Sequence, residues 1–427
     1  MAQLTSAARP GDIALRKSIR LRHAVALYMT SVLGSGVLVL PGLAAQIAGP
    51  GSLVAWCVLS FASYPFAYTF ASLSARRPES GGVYAFARES FGPRIATVAG
   101  WLFALWYISG APAVTLIAAS YISYAVPMGR GESYIIAASV IVLAFLVNYR
   151  GMKFTNRTQI AVVGAIVALL VAVVASSIGS VRAENFAPFT PHGLLPIGTA
   201  AALIFWSFLG YENVSNIAEE FENPERDFRR SIRLSVFLIG LLYCAVAVVT
   251  VGTGAYLAGG SVAPFAAIFS NVIGRYAAIG TAALALFIIF GTANAYTAGM
   301  SRVIYAVARD GGLPRLLAHL SPRTGVPDRS LIMLFAFSLV MLSLYFFSGI
   351  GLEKAMLIPS GAAILVYVIG SASGIKLLVG RGRERGFAVI SLLLSVSILP
   401  FVGTLALVSV LVASAGLCYI WLRERAG

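Results

Sequence analysis

The tetrapeptide Gly34-Ser35-Gly36-Val37 lies within an uncharged run, residues 24–75, that is long enough for two membrane spans. Glycine is unfavourable inside a helix, so two glycines around a serine predict an interruption in the middle of the first span. An opened helix frees backbone N–H groups that only protein or a ligand can satisfy in a bilayer, and a carboxylate is a suitable acceptor. The alternative is that these small residues let another helix pack closely.

The composition places the whole chain in a membrane. Of 427 residues, 59% are hydrophobic and 11% are charged, whereas soluble domains have roughly 25% charged residues. The mean hydropathy is +0.87. Further uncharged runs cover residues 95–129, 133–149, 158–181, 185–211, 234–274, 276–301, 330–352, 355–375 and 386–422. The last run is divided by Pro400 and Gly403, which gives a prediction of twelve transmembrane helices in an all-α integral membrane protein.

The net charge of +15 follows a membrane topology, which argues against a nucleic-acid partner. If the N-terminus is cytoplasmic and each span changes side, the cytoplasmic segments hold all but four of the 31 Lys and Arg residues. The four exceptions are Arg130, Arg182, Arg275 and Lys354. We therefore predict a multi-pass protein of the cell (plasma) membrane with both termini in the cytoplasm. The lipid bilayer is its surrounding partner, and no cleavable signal peptide is expected.

The three cysteines and three histidines predict no metal site and no cofactor. Cys57, Cys244 and Cys418 fall at unrelated positions within predicted spans, where a thiol acts most simply as a small packing residue. The histidines lie near span ends or in loops. We expect neither a disulfide framework nor a metal centre.

A second interruption is predicted in the sixth span, at Leu209-Gly210-Tyr211-Glu212. Five spans separate it from the first, so the two broken helices occupy equivalent places in two five-span halves of opposite orientation. This pattern indicates an inverted-repeat transporter whose substrate site lies where the breaks meet. The predicted parts are a cytoplasmic arm (1–22), a ten-helix core (23–380, with halves 23–181 and 195–380), and two additional helices with a short tail (381–427).

Four ordered stretches resemble the amino acid–polyamine–organocation permease superfamily over nearly the whole chain. They are Gly34-Ser35-Gly36-Val37, Gly81-Gly82-Val83-Tyr84 through Gly100-Trp101, Phe205 through Asp227, and Asn294-Ala295-Tyr296 through Gly312-Leu313-Pro314. The stretch 206–212, followed by 223–227, is most similar to the bacterial methionine and branched-chain amino acid exporter type and to the arginine/agmatine antiporter type. The resemblance implies a LeuT-like core with broken helices 1 and 6, and a monomer or homodimer.

The same resemblance implies roles for individual residues. The backbone at Gly34, Ser35 and Gly36 would hold the substrate carboxylate. Carbonyls beside Val32 and in the segment from Trp206 to Leu209 and Gly210 would take the ammonium group. Trp206 matches a gating aromatic side chain above the bound substrate, and Tyr296 aligns with an aromatic residue on span 8.

Glu212 is the single acidic residue well inside a predicted span, so it is a candidate for gating or coupling. Its protonation could bias the protein between inward-open and outward-open forms. Alternatively, it could accept hydrogen bonds from backbone N–H groups freed near Gly210. A separate acidic cluster at residues 219–227 is either a solvated loop or a cytoplasmic gate of ion pairs.

The fifth span departs from proton-coupled members of the superfamily, which often have a lysine there. Residues 158–181 contain neither Lys nor Arg, and the expected position falls near Ile166. No convincing pair of hydroxyl residues on span 8 indicates a sodium site. Export or exchange by alternating access is therefore favoured over proton-driven uptake, which remains an alternative.

The predicted site offers aromatic and aliphatic side chains, among them Phe103, Trp106 and Phe208, with no second buried acid. This favours a neutral apolar amino acid such as leucine, valine, isoleucine or methionine. A cationic amino acid or amine antiporter is the alternative, because Glu212 could serve a cation. An enzyme would need converging acid, base or nucleophilic groups, which the spans lack. A non-transporting amino acid sensor is the remaining alternative.

Overall fold

The uncharged runs form helices, because only hydrogen bonds within a helix satisfy every backbone group in hydrocarbon. The computed structural model describes residues 21–76, 82–151, 156–214, 224–257 and 259–426. Within these ranges the secondary structure is helical, with no β-strand. The α-helices are α1 (Leu21–Val32), α2 (Leu40–Ala48), α3 (Ser52–Arg76), α4 (Gly82–Phe91), α5 (Pro93–Ala125), α6 (Arg130–Tyr149), α7 (Asn156–Ser177), α8 (Leu195–Ile204), α9 (Tyr211–Val214), α10 (Pro224–Gly252), α11 (Pro264–Ile273), α12 (Tyr276–Arg309), α13 (Asp328–Ser348), α14 (Leu352–Leu377), α15 (Gly382–Ile398) and α16 (Ala406–Ala426).

Nine stretches of the described chain are long and apolar enough to cross a membrane. This number is smaller than the twelve predicted spans for three physical reasons. The first predicted span is divided between α1 and α2, and the sixth is a short apolar helix, Leu195–Phe208. The last stretch, Gly382–Arg425, is continuous by this measure although Gly403 adopts a non-helical φ of 68° between α15 and α16.

The long helix α5 occupies the centre of the fold. It packs against α4, α6, α12, α13, α14 and α16. Its 33 residues give a length of about 50 Å, which exceeds the ~30 Å of a bilayer core, as expected for a strongly tilted or extended span. Two of its aromatic side chains, Trp106 and Tyr107, are buried among the neighbouring helices. Its position therefore brings α5 against the interrupted helices.

The described segments that we predict to be cytoplasmic meet at one end of the bundle. Arg88 of α4 pairs with Asp310 after α12 at 2.5 Å, and Arg94 of α5 pairs with Glu424 of α16 at 2.7 Å. Arg423 donates to the carbonyl of Gly311. Segments predicted outside also contact one another, since Arg130 donates to the carbonyl of Phe346 at 2.8 Å. The grouping of these segments agrees with the predicted alternation of sides.

Parts of several predicted segments lie outside the described residues. These are residues 1–20 of the N-terminal arm, the turn at 77–81, the loop at 152–155, and residues 215–223 of the acidic cluster. Residues 224–227, which complete that cluster, form the first turn of α10. The predicted cytoplasmic gate of ion pairs therefore remains a hypothesis.

Two of the three cysteines are not at unrelated positions, which corrects the prediction from sequence. The Sγ atoms of Cys57 on α3 and Cys244 on α10 are 3.9 Å apart. The two residues are 187 positions apart in the chain, so only the packing of α3 on α10 reveals the pair. All three cysteines are free thiols in the structure.

Candidate functional site

The first interruption leaves two backbone N–H groups available for a ligand. Helix α1 ends at Val32, Gly34 is extended (φ −119°, ψ −163°), and a 3-10 turn covers Ser35–Leu38 before α2 begins. The N–H groups that begin such a turn have no carbonyl one turn earlier to accept them. None of the described backbone carbonyls accepts the N–H of Ser35 or Gly36. Both residues are buried, so two donors lie in a protein interior.

The second interruption also has a glycine at its sharpest point. A 3-10 turn, Phe205–Phe208, follows α8, then Leu209 is extended (φ −77°, ψ 151°) and Gly210 has a φ of 119°. A Cβ atom at Gly210 would lie 2.2 Å from the carbonyl oxygen of Ser31, so only glycine fits there. The Ser31 hydroxyl donates to the Gly210 carbonyl at 2.6 Å. The two interruptions are thus joined directly.

The halves of the two broken helices pack in opposite order. Helix α1 contacts α9, α2 contacts α8, and the two 3-10 turns contact each other. This arrangement places the two breaks at the same level of the bundle. It agrees with the opposite orientations that the sequence predicts for the first and sixth spans.

Tyr243 of α10 holds the carbonyl ends of both interruptions. Its hydroxyl oxygen is 3.2 Å from the carbonyl oxygen of Val32 and 3.1 Å from that of Ser207. The ring lies in an aromatic cluster, with its centroid 5.5 Å from Trp56 and 5.3 Å from Phe208. The two carbonyls are therefore fixed close to one another, which is the arrangement that an ammonium group requires. The sequence analysis did not single out Tyr243.

A cavity with about 560 Å³ of empty space, part of it open to solvent, lies between the two interruptions and α5 and α12. Its lining residues are Val32, Gly34, Ser35, Gly36, Trp106, Tyr107, Gly110, Ala111, Val114, Trp206, Ser207, Thr292, Ala293, Tyr296 and Met300. No charged side chain is among these described lining residues.

Six of the predicted binding residues line this cavity, namely Val32, Gly34, Ser35, Gly36, Trp206 and Tyr296. The described lining does not include Leu209, Gly210 or Glu212. Leu209 and Gly210 shape the second interruption instead, through the extended backbone and the bond to Ser31. Contact of these residues, and of the other six, with substrate stays a prediction.

The Trp206 side chain is held between two glycines on different elements. A Cβ atom at Gly36 would lie 2.7 Å from Trp206 Cδ1, and a Cβ atom at Gly110 of α5 would lie 2.7 Å from Trp206 Cη2. The indole therefore reaches from the first interruption to α5 and contacts Trp106 edge to face, with ring centroids 6.5 Å apart. Gly36 serves close packing as well as an open backbone, so both interpretations of the Gly34–Gly36 motif have structural support.

Ser207 adds a polar group that the sequence analysis did not identify. Its side chain is 3% exposed and lines the cavity. Within the described part of the chain, its hydroxyl has no hydrogen-bond partner. Buried hydroxyl groups are nearly always hydrogen-bonded, so this one is suited to meet a polar group of a ligand.

Glu212 lies beside the second interruption rather than in the cavity wall. Its carboxylate is buried and its Oε2 atom accepts the Gly210 N–H at 2.9 Å and the Tyr367 hydroxyl at 2.6 Å. The Tyr367 ring packs edge to face against Phe70 and Phe205. The contacts support the structural role proposed for Glu212 as an acceptor for the opened backbone. They leave its protonation during transport as a hypothesis.

Comparison with known proteins shows similarity to amino acid permeases, which is consistent with the cavity between the two interruptions. The amino acid permease family model matches residues 19–418. The chain is 33% identical over 413 residues to an uncharacterized amino acid permease of Bacillus subtilis, YecA, covering 97% of each protein. It is 32% identical over 410 residues to the L-methionine/branched-chain amino acid exporter YjeH of Escherichia coli, covering 94% of this chain and 96% of that one. It is 28% identical over 347 residues to the branched-chain amino acid permease BcaP of Bacillus subtilis, covering 75% and 73%.

Proposed function

Because the chain belongs to the amino acid permease family of the amino acid–polyamine–organocation superfamily, we propose that it carries a neutral, apolar amino acid through the cavity between its two broken helices. The protein is a multi-pass membrane transporter and not an enzyme. The proposed substrate class rests on one observation: the cavity is apolar and also exposes backbone hydrogen-bond donors and acceptors.

The proposed binding mode uses the backbone for the groups that all amino acids share. The substrate carboxylate accepts the N–H groups of Ser35 and Gly36, at the start of a helical segment where a negative charge is favourable. The ammonium group donates to the carbonyls of Val32 and Ser207, whose oxygens each have a second lone pair beyond the one that faces Tyr243. Trp206 covers the bound substrate, and Tyr296 forms another part of the cavity lining.

The side-chain part of the cavity favours an apolar substrate. Trp106, Ala111, Val114 and Met300 form its wall together with Gly110. A guanidinium or ammonium side chain placed there would be buried without an opposite charge, which is strongly unfavourable. Glu212, the acid nearest to the second interruption in sequence, is bonded to Gly210 and Tyr367. This supports leucine, isoleucine, valine or methionine over arginine.

The proposed cycle is export or exchange by alternating access. Ile166 stands where proton-coupled members of the superfamily often have a lysine, and it is fully buried in α7. A relative with 32% identity is an L-methionine/branched-chain amino acid exporter, which is consistent with an outward direction. Glu212 is retained as a hypothetical coupling group.

The proposed architecture is twelve spans with a five-plus-five inverted repeat and both termini in the cytoplasm. Counting α1 with α2 as one span, α8 with α9 as another, and α15 and α16 as two raises the nine apolar stretches to twelve. The opposite packing order of the broken helices supports the repeat. The distribution of basic residues supports the orientation, and we place the protein in the plasma membrane.

Counterflow in proteoliposomes tests this proposal. Vesicles containing the purified protein are loaded with unlabelled leucine and diluted into trace labelled leucine, with protein-free vesicles as the control. We expect labelled leucine to accumulate transiently and unlabelled isoleucine, valine and methionine to compete, whereas arginine does not. Equal competition by arginine would contradict the apolar substrate. Leucine binding without counterflow would contradict transport and indicate a sensor.

A further inference from the structure

We propose that Cys57 and Cys244 are an oxidisable thiol pair that forms a disulfide between α3 and α10. The two Sγ atoms are 3.9 Å apart, which is close to van der Waals contact. A disulfide needs about 2.05 Å, so each sulfur must move by about 1 Å, a distance that a rotation about the Cα–Cβ bond supplies. The inference does not depend on the transported substrate.

The backbones of α3 and α10 approach closely enough for such a bond. A Cβ atom on Gly240 would lie 3.0 Å from the Cβ atom of Ser60. Ser60 and Cys57 are one turn apart on α3, and Gly240 and Cys244 are one turn apart on α10, so both pairs lie on one helix–helix seam. The Ser60 hydroxyl is also 3.5 Å from Cys244 Sγ. The glycine allows the close crossing that brings the thiols together.

A small apolar oxidant can reach the pair. Cys57 is exposed on the outer surface of the helix bundle, and Cys244 is partly exposed. Cys57 is the sixth residue of α3, which places it about 8 Å from the start of that helix. The site therefore faces lipid near one end of the spans, where molecular iodine, which partitions into membranes, has access.

The reaction is balanced as a two-electron oxidation. Two S–H bonds break and one S–S bond forms. The two electrons reduce one I₂ molecule to two iodide ions, and the two protons leave to the medium. Attack by one thiolate on the sulfenyl iodide of the other gives the disulfide with iodide as the leaving group, in the manner of thiol–disulfide exchange.

The bond would act close to the candidate site. Trp56 precedes Cys57 and Tyr243 precedes Cys244, and the rings of these two neighbours are in edge-to-face contact at 5.5 Å. Tyr243 also contacts the Val32 and Ser207 carbonyls at the two interruptions. Oxidation would therefore fix α3 and α10 directly behind the part of the cavity that holds the backbone acceptors.

Counting free thiols tests the proposal on the full chain in membranes. After treatment with iodine, the protein is denatured and labelled with maleimide–polyethylene glycol, which adds one visible mass step for each thiol. The chain has three cysteines, so we expect three steps before oxidation and one afterwards. Dithiothreitol should restore all three. Peptide mapping should show the peptide of Cys57 linked to that of Cys244.

Single substitutions provide matched controls. Cys418→Ser should change from two steps to none, because the pair is intact. Cys57→Ser and Cys244→Ser should each keep two steps after the same treatment. Three steps in oxidised wild-type protein would overturn the proposal. It would also be overturned if oxidised Cys418→Ser protein ran as a covalent dimer on a non-reducing gel, or if Cys57→Ser or Cys244→Ser combined with Cys418→Ser lost its one remaining step.

Discussion

The substitution Gly110→Ala should impair substrate binding through Trp206. The added Cβ atom would lie 2.7 Å from Trp206 Cη2 and 3.4 Å from Cζ3. Carbon atoms pack best at about 3.5–4.0 Å, so the indole must move by about 0.8 Å away from α5. The ring has little room to move, because a Cβ atom on Gly36 would lie equally close to Cδ1 at its other edge. The change thus tests whether Trp206 is held between the two glycines.

Overpacking of a buried position typically costs about 1–3 kcal/mol, which corresponds to about a 5- to 150-fold weaker apparent affinity if the bound state bears the whole cost. The measurement is the concentration of leucine that half-saturates counterflow, together with equilibrium binding to the purified protein. Gly164→Ala in α7 is the matched control, because no atom lies within 4 Å of its added Cβ. That variant should be indistinguishable from the wild type.

A double substitution identifies the contact responsible. Phenylalanine lacks the Cη2 atom, so Trp206→Phe should remove most of the additional loss caused by Gly110→Ala. Gly36→Ala meets Cδ1, which a phenylalanine ring retains, and also meets Ser207 Oγ at 2.9 Å. Trp206→Phe should therefore not rescue Gly36→Ala. Normal affinity in Gly110→Ala, or an unchanged loss from that substitution in the Trp206→Phe background, would refute the proposed position of Trp206.

The other predictions concern the two interruptions. Glu212→Gln keeps an oxygen that can accept both the Gly210 N–H and the Tyr367 hydroxyl, so the affinity for leucine should stay within a few-fold of the wild type. If the pH dependence of transport is also the same in this variant, Glu212 has no proton role. Glu212→Leu strands both donors at about 1–3 kcal/mol each, which should appear as a lower thermal unfolding midpoint in detergent. Gly210→Ala should reduce the yield of folded protein, because its Cβ would lie 2.2 Å from the Ser31 carbonyl oxygen. Gly34→Ala meets nothing nearer than 3.9 Å and should be obtained in normal yield; a severe folding defect would contradict the geometry of the first break.

The interruptions could be predicted from the sequence because their causes are local. Gly34 and Gly36 stand on either side of Ser35, and Gly210 follows an apolar helix. Because glycine is unfavourable inside a helix, both positions are predicted to interrupt one. Trp206 was indicated by the resemblance to the permease superfamily and not by a local pattern. The number of long apolar stretches could not be predicted as well, because the broken first helix and the bend at Gly403 change where one helix ends and the next begins.

The supporting residues could not be predicted, because their roles depend on contacts between distant parts of the chain. The hydroxyl of Tyr243 meets the carbonyl of a residue 211 positions away, and Tyr367 meets Glu212 across 155 positions. A tyrosine or glycine in an apolar helix has no local feature that distinguishes such a contact from ordinary packing. Gly110 is recognisable only once the indole of Trp206 lies against it.

The contacts of the last helix have a consequence for how the protein is made. Glu424 pairs with Arg94 across 330 residues, and Arg423 donates to the carbonyl of Gly311. Because α16 is synthesised after α5 and α12, neither contact can form until those helices have been made. The start of α5 and the segment that follows α12 must therefore hold their positions without α16 during the earlier steps of assembly.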